Sequence, residues 1–231
     1  TYIHGREPNL SLIEEMNPAD YIAVEEMLYK RGFFNNRFTN PNFPALTPAV
    51  ETLRRRTLGM ISAEDSLRQM QLYAATDARD QFQRYIYQPS QTRQYSLNLN
   101  GGNDKLAWMV SGAFDDNTGS LANRLKKTNI RMENTYRPMR GIQLTLGAMY
   151  TNSSGKSGKS GWGSFSAERP YPYIRLADEN GTPLPVSFGL SNIYKDTAGN
   201  GQLLDWRMIP LENYKHDYSL QRQEELITNL G

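Results

Sequence analysis

The sequence predicts an antiparallel β-sheet, and three observations support this fold class. Four segments between Gln94 and Tyr150 alternate apolar and polar residues with a period of two, and two of their connections are very short turns, residues 101–104 and 137–141. Each segment is long enough to match the roughly nine to eleven residues of a strand in a membrane barrel. Because successive side chains of a strand point to opposite faces, the strands form one apolar face and one polar face. Such a sheet belongs either to a transmembrane barrel or to a soluble protein that buries the apolar face.

The predicted apolar face takes every second residue of each strand. Its members are Tyr95, Leu97, Leu99, Leu106, Trp108, Val110, Phe114, Thr128, Ile130, Met132, Tyr136, Ile142, Leu144, Leu146, Ala148 and Tyr150. Aromatic side chains near the ends of such a face are typical of the interfacial girdles of outer-membrane barrels. The opposite face carries Asn98, Asn129, Arg131, Glu133 and Gln143, which suits a water-filled lumen.

Composition excludes several classes of protein. The 231 residues include 26 Lys and Arg against 24 Asp and Glu, so a net charge of +2 offers no basic field for nucleic acid. No apolar run approaches the roughly 18 residues of a transmembrane helix. The absence of Cys excludes disulfides and thiolate metal sites. The chain starts at Thr1 without a signal peptide and ends within a strand pattern, so we expect a segment of a longer precursor.

The rest of the chain divides into segments of different character. Residues 1–7 are predicted to be the end of a strand, and residues 8–90 a helical insert. The four strands occupy residues 91–152. Residues 153–218, which open with a run of Gly, Ser and Lys, are predicted to be a long loop, and residues 219–231 the start of a further strand.

Helix signals recur within the insert. Asn17 followed by Pro18 predicts a helix start. The apolar stripe predicted for this helix consists of Tyr21, Val24, Met27 and Leu28. Further helices are predicted to begin at Thr47 and Pro48, at Ser62 with Asp65 as a capping box, and near Asp77.

Aromatic and charged residues mark candidate binding positions. The aromatic group Trp162, Phe165, Tyr171 and Tyr173 lies beside Arg169 and Arg175 in the predicted long loop. Such a group can stack on a sugar or a peptide, and it can equally form the small core that a large loop needs. Arg131 and Glu133 are candidate substrate contacts in a lumen.

Metal and catalytic chemistry find little support in the sequence. Asp115 and Asp116 precede Asn117 and Thr118, a cluster of oxygen ligands that predicts either a weak calcium site or a polar turn. The two His residues do not have the spacing of zinc ligands. The remaining carboxylates, Glu25 among them, are expected on solvated faces. We therefore expect no enzyme and no cofactor.

Several short motifs follow one another along the strands. They are Gly101, Gly102 and Lys105; then Trp108, Val110, Ser111 and Gly112; then Asp115, Asp116 and Gly119; and finally Asn129 and Arg131. In this order they resemble the early barrel of the SusC/RagA family of TonB-dependent outer-membrane transporters from Bacteroidetes. The helical insert, with its runs NPADYIAVEEMLYKRGFF and NPNFPALTPAVETLRRR, is similar to the first extracellular loop of that family.

The resemblance implies a fold, a location and a function. It implies an antiparallel meander that forms part of an all-β transmembrane barrel of about 22 strands, with a helical extracellular loop. The location would be the outer membrane of a Gram-negative bacterium, in contact with lipid. The function would be import of oligosaccharides or oligopeptides, with a SusD-like surface lipoprotein and with the TonB complex acting through a plug domain missing from this chain. The residues alone leave a second hypothesis, a soluble or surface-exposed β-rich ligand-binding module with no transport role.

Overall fold

The computed structural model describes residues 1–164, 171–216 and 218–231. The chain divides into two compact units. The sheet unit comprises Thr1–Pro8, Gln88–Lys159 and Asp217–Gly231. The helical unit comprises Asn9–Tyr87 and Ser160–His216.

The sheet unit is an antiparallel meander in which each strand pairs with the next along the chain. Its six strands are β1 Tyr2–His4, β2 Gln91–Gly102, β3 Leu106–Thr118, β4 Arg124–Met139, β5 Ile142–Lys156 and β6 Leu220–Leu230. The predicted antiparallel sheet is confirmed. β6 forms although the alternation of its sequence is poor, because its residues pair with β5 over the whole strand.

The register fixes which residues share a face. One row of directly opposite residues crosses five strands and consists of Leu97, Gly112, Ile130, Tyr150 and Leu226. Directly opposite residues of an antiparallel sheet lie on the same face. The division into an apolar and a polar face is therefore confirmed across β2 to β5, and Leu226 and Leu230 extend the apolar face onto β6.

The connections between strands differ at the two ends of the sheet. At one end, residues 103–105 and 140–141 form tight turns. In the first, the Asn103 side chain accepts hydrogen bonds from the backbone N–H groups of Lys105 and Leu106, and in the second Gly141 has a φ of 85° that favours glycine. At the other end, residues 119–123 form a further short connection, and residues 5–90 and 157–219 form the two long ones. Tight turns at one end and mostly longer loops at the other are typical of outer-membrane barrels.

Three predicted boundaries are wrong because cross-strand pairing extends the strands. Asp115 to Thr118 lie in β3, opposite residues of β4, and do not form a turn. β5 reaches Lys156, so the long loop begins later than residue 153. β4 continues past Pro138 to Met139, with an irregularity in the register after Tyr136.

The helical unit contains the predicted helices and several short ones. They are α1 Pro18–Lys30, α2 Asn35–Phe38, α3 Pro48–Thr57, α4 Ala63–Ala74, α5 Ala78–Tyr85, α6 Asn192–Thr197 and α7 Pro210–Asn213. The predicted caps are confirmed at Asn17 and Ser62, and Asp77 also caps the helix predicted to begin near it. The side chains of all three accept hydrogen bonds from backbone N–H groups of the first turn. Thr47 precedes α3, but its hydroxyl donates to Glu25 and makes no cap.

The core of the helical unit differs from the prediction in one respect. Val24 and Met27 of the predicted α1 stripe are exposed, and the buried residues of this helix are Pro18, Ile22 and Glu25. Glu25 is buried in this helix because Thr47 and Tyr173 donate hydrogen bonds to its carboxylate. Helix periodicity cannot reveal these contacts. A second part of the core consists of Phe34, Leu46 and Val50, with Leu28, Tyr29 and Phe38 packed against it.

The predicted long loop is partly structured. It contributes α6, α7 and a buried segment in which Tyr173, Ile174 and Leu176 join the core. Asn180 and Gly181 form a tight turn, in which Asp178 N–H bonds to the Thr182 carbonyl. Among the described residues, no helix has both the length and the apolar character needed to cross a membrane.

Candidate functional site

The apolar face of the sheet is exposed. Leu97 has 63% of its surface accessible and Leu146 has 47%. Other large apolar residues exposed on this face are Tyr95, Leu99, Leu106, Trp108, Phe114, Ile130, Tyr136, Ile142, Leu144, Leu226 and Leu230. Monomeric soluble proteins rarely expose an extended apolar face, and such faces are typical of surfaces that contact a partner protein or a membrane.

Aromatic residues border an aliphatic band on this face. Tyr95 and Phe114 lie directly opposite each other on β2 and β3, with ring centroids 6.4 Å apart. Trp108 lies six residues from Phe114 along β3, which corresponds to about 20 Å at the rise of a β-strand. Leu99, Val110 and Met132 fill the space between the two aromatic positions. Barrels in outer membranes show an apolar band about 25 Å tall between aromatic girdles.

A shallow apolar groove of about 300 Å³ crosses the same face at Gly112. A Cβ atom on Gly112 would meet no other atom within 4 Å. Leu97 and Ile130 flank the glycine on the neighbouring strands, and Tyr95 and Phe114 close one end. The missing side chain therefore produces the groove.

The polar face carries the predicted lumen residues. The guanidinium of Arg131 donates to the carboxylate of Glu133 at 2.9 Å, and both side chains are exposed. On the same face, the Thr151 hydroxyl bonds to the Asn129 side chain at 3.1 Å. The face is thus an exposed polar surface with an ion pair, and the two predicted substrate contacts lie together on it.

The predicted calcium candidates do not converge. Asp115 and Asp116 are adjacent in β3, so their side chains point to opposite faces of the sheet. Arg124 donates two hydrogen bonds to the Asp116 carboxylate, at 2.9 and 2.6 Å. In residues 1–164, 171–216 and 218–231, no group of three or more His, Cys, Asp or Glu side chains is arranged to hold a metal ion. The strand geometry therefore does not bring these two carboxylates together, and the calcium site remains an untested prediction.

The predicted aromatic binding group is mostly part of the core. Tyr173 is 1% exposed, and its ring packs beside the rings of Tyr171 and Tyr73, with centroids 4.7 and 5.7 Å away. The Trp162 ring packs edge-on against the buried Phe82 at 5.1 Å. This burial favours the core role over an exposed stacking platform. Phe165 and Arg169 lie outside the described residues.

Two buried carboxylates in the helical unit were not predicted. Glu25 accepts hydrogen bonds from the hydroxyls of Thr47 and Tyr173, and burial raises its pKa. Glu51 accepts bonds from the Ser191 hydroxyl and the Asn192 backbone N–H, and burial also raises its pKa. Their partners lie more than 100 residues away along the chain for three of the four bonds, so no local sequence signal identifies them.

A cleft of about 430 Å³ with apolar and charged walls opens between α3, α4 and the segment from Tyr171 to Arg207. Its walls include Tyr73, Tyr171, Leu72, Ile61, Leu184 and Pro185. Its charged residues are Glu51, Arg55, Arg175, Asp196 and Arg207. Arg55 pairs with Asp196 at 2.9 Å, and Arg207 pairs with Asp205 at 2.7 Å.

Arg175 is the remaining cation of the cleft. It forms no ion pair within the described part of the chain, although its side chain is half-buried. Buried neighbours on both sides, Ile174 and Leu176, fix its backbone, and Leu176 N–H bonds to the Gln81 side chain. Backbone hydrogen bonds and the charge of Arg175 lower the pKa of Asp178, but no hydrogen bond or ion pair from the Arg175 guanidinium is seen within the described residues.

Comparison of the chain with protein-family models and with curated protein sequences gives no match.

Proposed function

We propose that this chain forms part of the wall and the surface loops of an outer-membrane β-barrel that imports oligosaccharides or oligopeptides. The uncovered apolar face, with its aliphatic band between two aromatic positions, carries the proposal. In this proposal the band contacts the acyl chains of lipid, and the rings of Tyr95, Phe114 and Trp108 lie at the membrane interfaces.

The open edges of the sheet require further strands in this proposal. All residues of β6 are exposed, and β1 covers only the first residues of β2. Unpaired backbone N–H and C=O groups are not tolerated in lipid, so a sheet in a membrane must close into a barrel. The six strands would supply part of a barrel of about 22 strands, the size expected from the resemblance to SusC/RagA transporters.

The other parts of the chain have roles that follow from this arrangement. The polar face with Arg131 and Glu133 lines the lumen. The helical unit and the long loop belong to the extracellular side, where the cleft around Arg175 contacts cargo and a SusD-like lipoprotein covers the entrance. TonB supplies energy through a plug domain. The step is transport, so no residue of this chain acts as a catalyst.

A ligand-binding module without transport is the second candidate, and the cleft of the helical unit favours it. Such a module binds a ligand in the cleft and remains folded in water. The exposed apolar face distinguishes the two candidates, because a soluble module has no reason to leave it uncovered.

The test introduces a charged residue on the apolar face and compares it with the same residue on the polar face. Leu97→Arg places a charge in the aliphatic band, whereas Asn98→Arg places the same charge on the opposite face. If Leu97 contacts lipid near the bilayer midplane, we expect Leu97→Arg to cost about 2 to 4 kcal/mol of folding free energy in vesicles. Asn98→Arg should leave assembly unchanged. Leu144→Arg and Leu146→Arg should behave like Leu97→Arg.

Two results would refute the importer. One is a Leu97→Arg protein that assembles in membranes as well as the unmodified protein does. The other is a Leu97→Arg protein that stays folded and binds ligand in buffer without detergent, which would support the binding module.

A further inference from the structure

Basic residues gather on the apolar face of the sheet, just beyond the row that contains Tyr95 and Phe114. The next two rows toward the end with the long connections hold Arg93, Arg124, Lys126, Lys156 and Arg222, here called the basic belt. The one acidic residue in these two rows is Asp116. Adjacent rows on one face are about 7 Å apart along the strands, so the belt borders the aromatic row directly.

The opposite face lacks this excess of positive charge. Its two rows at the same height contain one basic residue, Lys127, and one acidic residue, Asp115. The excess of positive charge is therefore specific to the apolar face and is not a general property of the strand ends.

Several cations of the belt are able to bind an anion from outside the chain. Arg124 is paired with Asp116, and Arg222 is paired with Glu224. Lys126 makes no hydrogen bond or ion pair within the described residues. Arg93 and Lys156 lie over the rings of Tyr2 and Tyr218, at 5.9 and 4.8 Å from the ring centroids. Three of the five cations thus form no ion pair in the described part of the chain. Arg93 and Lys126 nevertheless lie opposite Asp116. The pKa of Asp116 is lowered by the hydrogen bond from Arg124 and by the charges of these two residues.

We propose that the basic belt binds the phosphate groups of anionic lipid headgroups. This inference rests on the proposed barrel, because it places the aromatic row at the membrane interface and the belt at the headgroup level. Long Lys and Arg side chains reach from the edge of an apolar band to the headgroups. A guanidinium or ammonium group beside a phosphate forms charge-assisted hydrogen bonds. The belt then fixes the height of the strands in the membrane and enriches anionic lipids around them.

The experiment measures lipid selectivity of the intact protein reconstituted in bilayers. Electron paramagnetic resonance with spin-labelled phosphatidylglycerol and spin-labelled phosphatidylcholine gives the relative association constant of the two lipids at the protein surface. We expect preference for phosphatidylglycerol, and a decrease of about fivefold per basic side chain removed. Lys126→Gln and Arg93→Gln should each lower the preference. Higher ionic strength should weaken it, since salt screens exposed charges.

Lys127→Gln is the matched control, because Lys127 follows Lys126 in β4 and points to the other face. It should keep the selectivity of the unmodified protein. Equal binding of both lipids by the unmodified protein would overturn the inference and leave the barrel intact. An equal loss in Lys127→Gln would also overturn it. A protein that does not insert into bilayers would instead refute the proposed function.

Discussion

The phenol of Tyr173 donates a hydrogen bond to the carboxylate of Glu25, which lies 148 residues away along the chain. Both side chains are buried, and the hydroxyl of Thr47 donates to the other oxygen of the carboxylate at 2.6 Å. Burial raises the pKa of Glu25. The two hydrogen bonds connect the segment around Tyr173 to α1 and to Thr47 at the start of α3. Tyr173 also lines one wall of the cleft.

Tyr173→Phe tests the contribution of this contact to stability. The substitution keeps the ring and removes the donor, so Glu25 loses one of its two hydroxyl partners in a buried site. We expect the free energy of unfolding of the helical unit to fall by about 1 to 3 kcal/mol. Urea denaturation followed by tryptophan fluorescence measures the change. Tyr73→Phe is the control, because the Tyr73 hydroxyl makes no hydrogen bond within the described residues, and an equal loss in both variants would contradict the prediction.

The two buried carboxylates predict a dependence of stability on pH. Burial raises the folded-state pKa of Glu25 and of Glu51 above the ordinary value of 4.5. The folded protein therefore binds protons that the unfolded chain has released. This contribution to stability is fully present below pH 4.5 and is lost as the pH rises through the raised pKa values.

Glu51→Gln isolates one of these carboxylates. Its Oε1 atom accepts both bonds, from Ser191 and from the Asn192 backbone, so an amide oxygen can take its place. We expect the variant to lose less stability than the unmodified protein between pH 4 and pH 7, as measured by thermal unfolding over a pH series. Glu64→Gln, on the exposed surface of α4, should keep the same dependence of stability on pH as the unmodified protein. If the stability of Glu51→Gln depends on pH as steeply as that of the unmodified protein, the burial of Glu51 does not cause the dependence.

The sequence predicts the elements whose signals are local. Period-two alternation locates β2 to β5, and the caps Asn17, Ser62 and Asp77 locate the starts of α1, α4 and α5. α6 and α7 have six and four residues, too short for a helical period to emerge. The predicted strand ends are wrong where residues typical of turns pair with a neighbouring strand. Asp116, for example, lies opposite β4 and accepts hydrogen bonds from Arg124 of that strand.

The candidate site was less predictable than the fold. Arg175 lies next to the predicted aromatic group, yet its position in a cleft depends on α3 and α4, about 100 residues earlier in the chain. Glu25 was expected in solvent because its donors, Thr47 and Tyr173, come from distant segments. The basic belt becomes visible only through the register, since its members are scattered over four strands.

Gly112→Leu tests whether the groove on the apolar face meets lipid. The position is sterically open, so a leucine adds apolar surface without a clash. In a lipid environment we expect the free energy of unfolding to rise by up to about 2 kcal/mol. Urea unfolding in vesicles measures it. Gly147→Leu is the contrast on the opposite face, because its Cβ would overlap the Asn229 side chain and displace it, so we expect no gain in stability. In buffer alone, a Gly112→Leu protein that is soluble and unchanged would speak against a lipid-facing groove.

Arg175→Ala tests the cleft as a contact for cargo. Arg175 has a half-buried side chain and no ion pair within the described residues, so in the proposed importer its guanidinium would bind an acidic or hydroxyl group of the cargo. Hydrogen bonds to a charged group contribute about 1.5 to 3 kcal/mol, which corresponds to at least tenfold in affinity. We expect the nutrient concentration for half-maximal uptake by whole cells to rise about tenfold. Arg68→Ala removes an exposed guanidinium of α4 that lies outside the cleft, and it should leave uptake unchanged. Equal uptake by Arg175→Ala and the unmodified protein, at equal amounts in the membrane, would exclude the cleft from cargo binding.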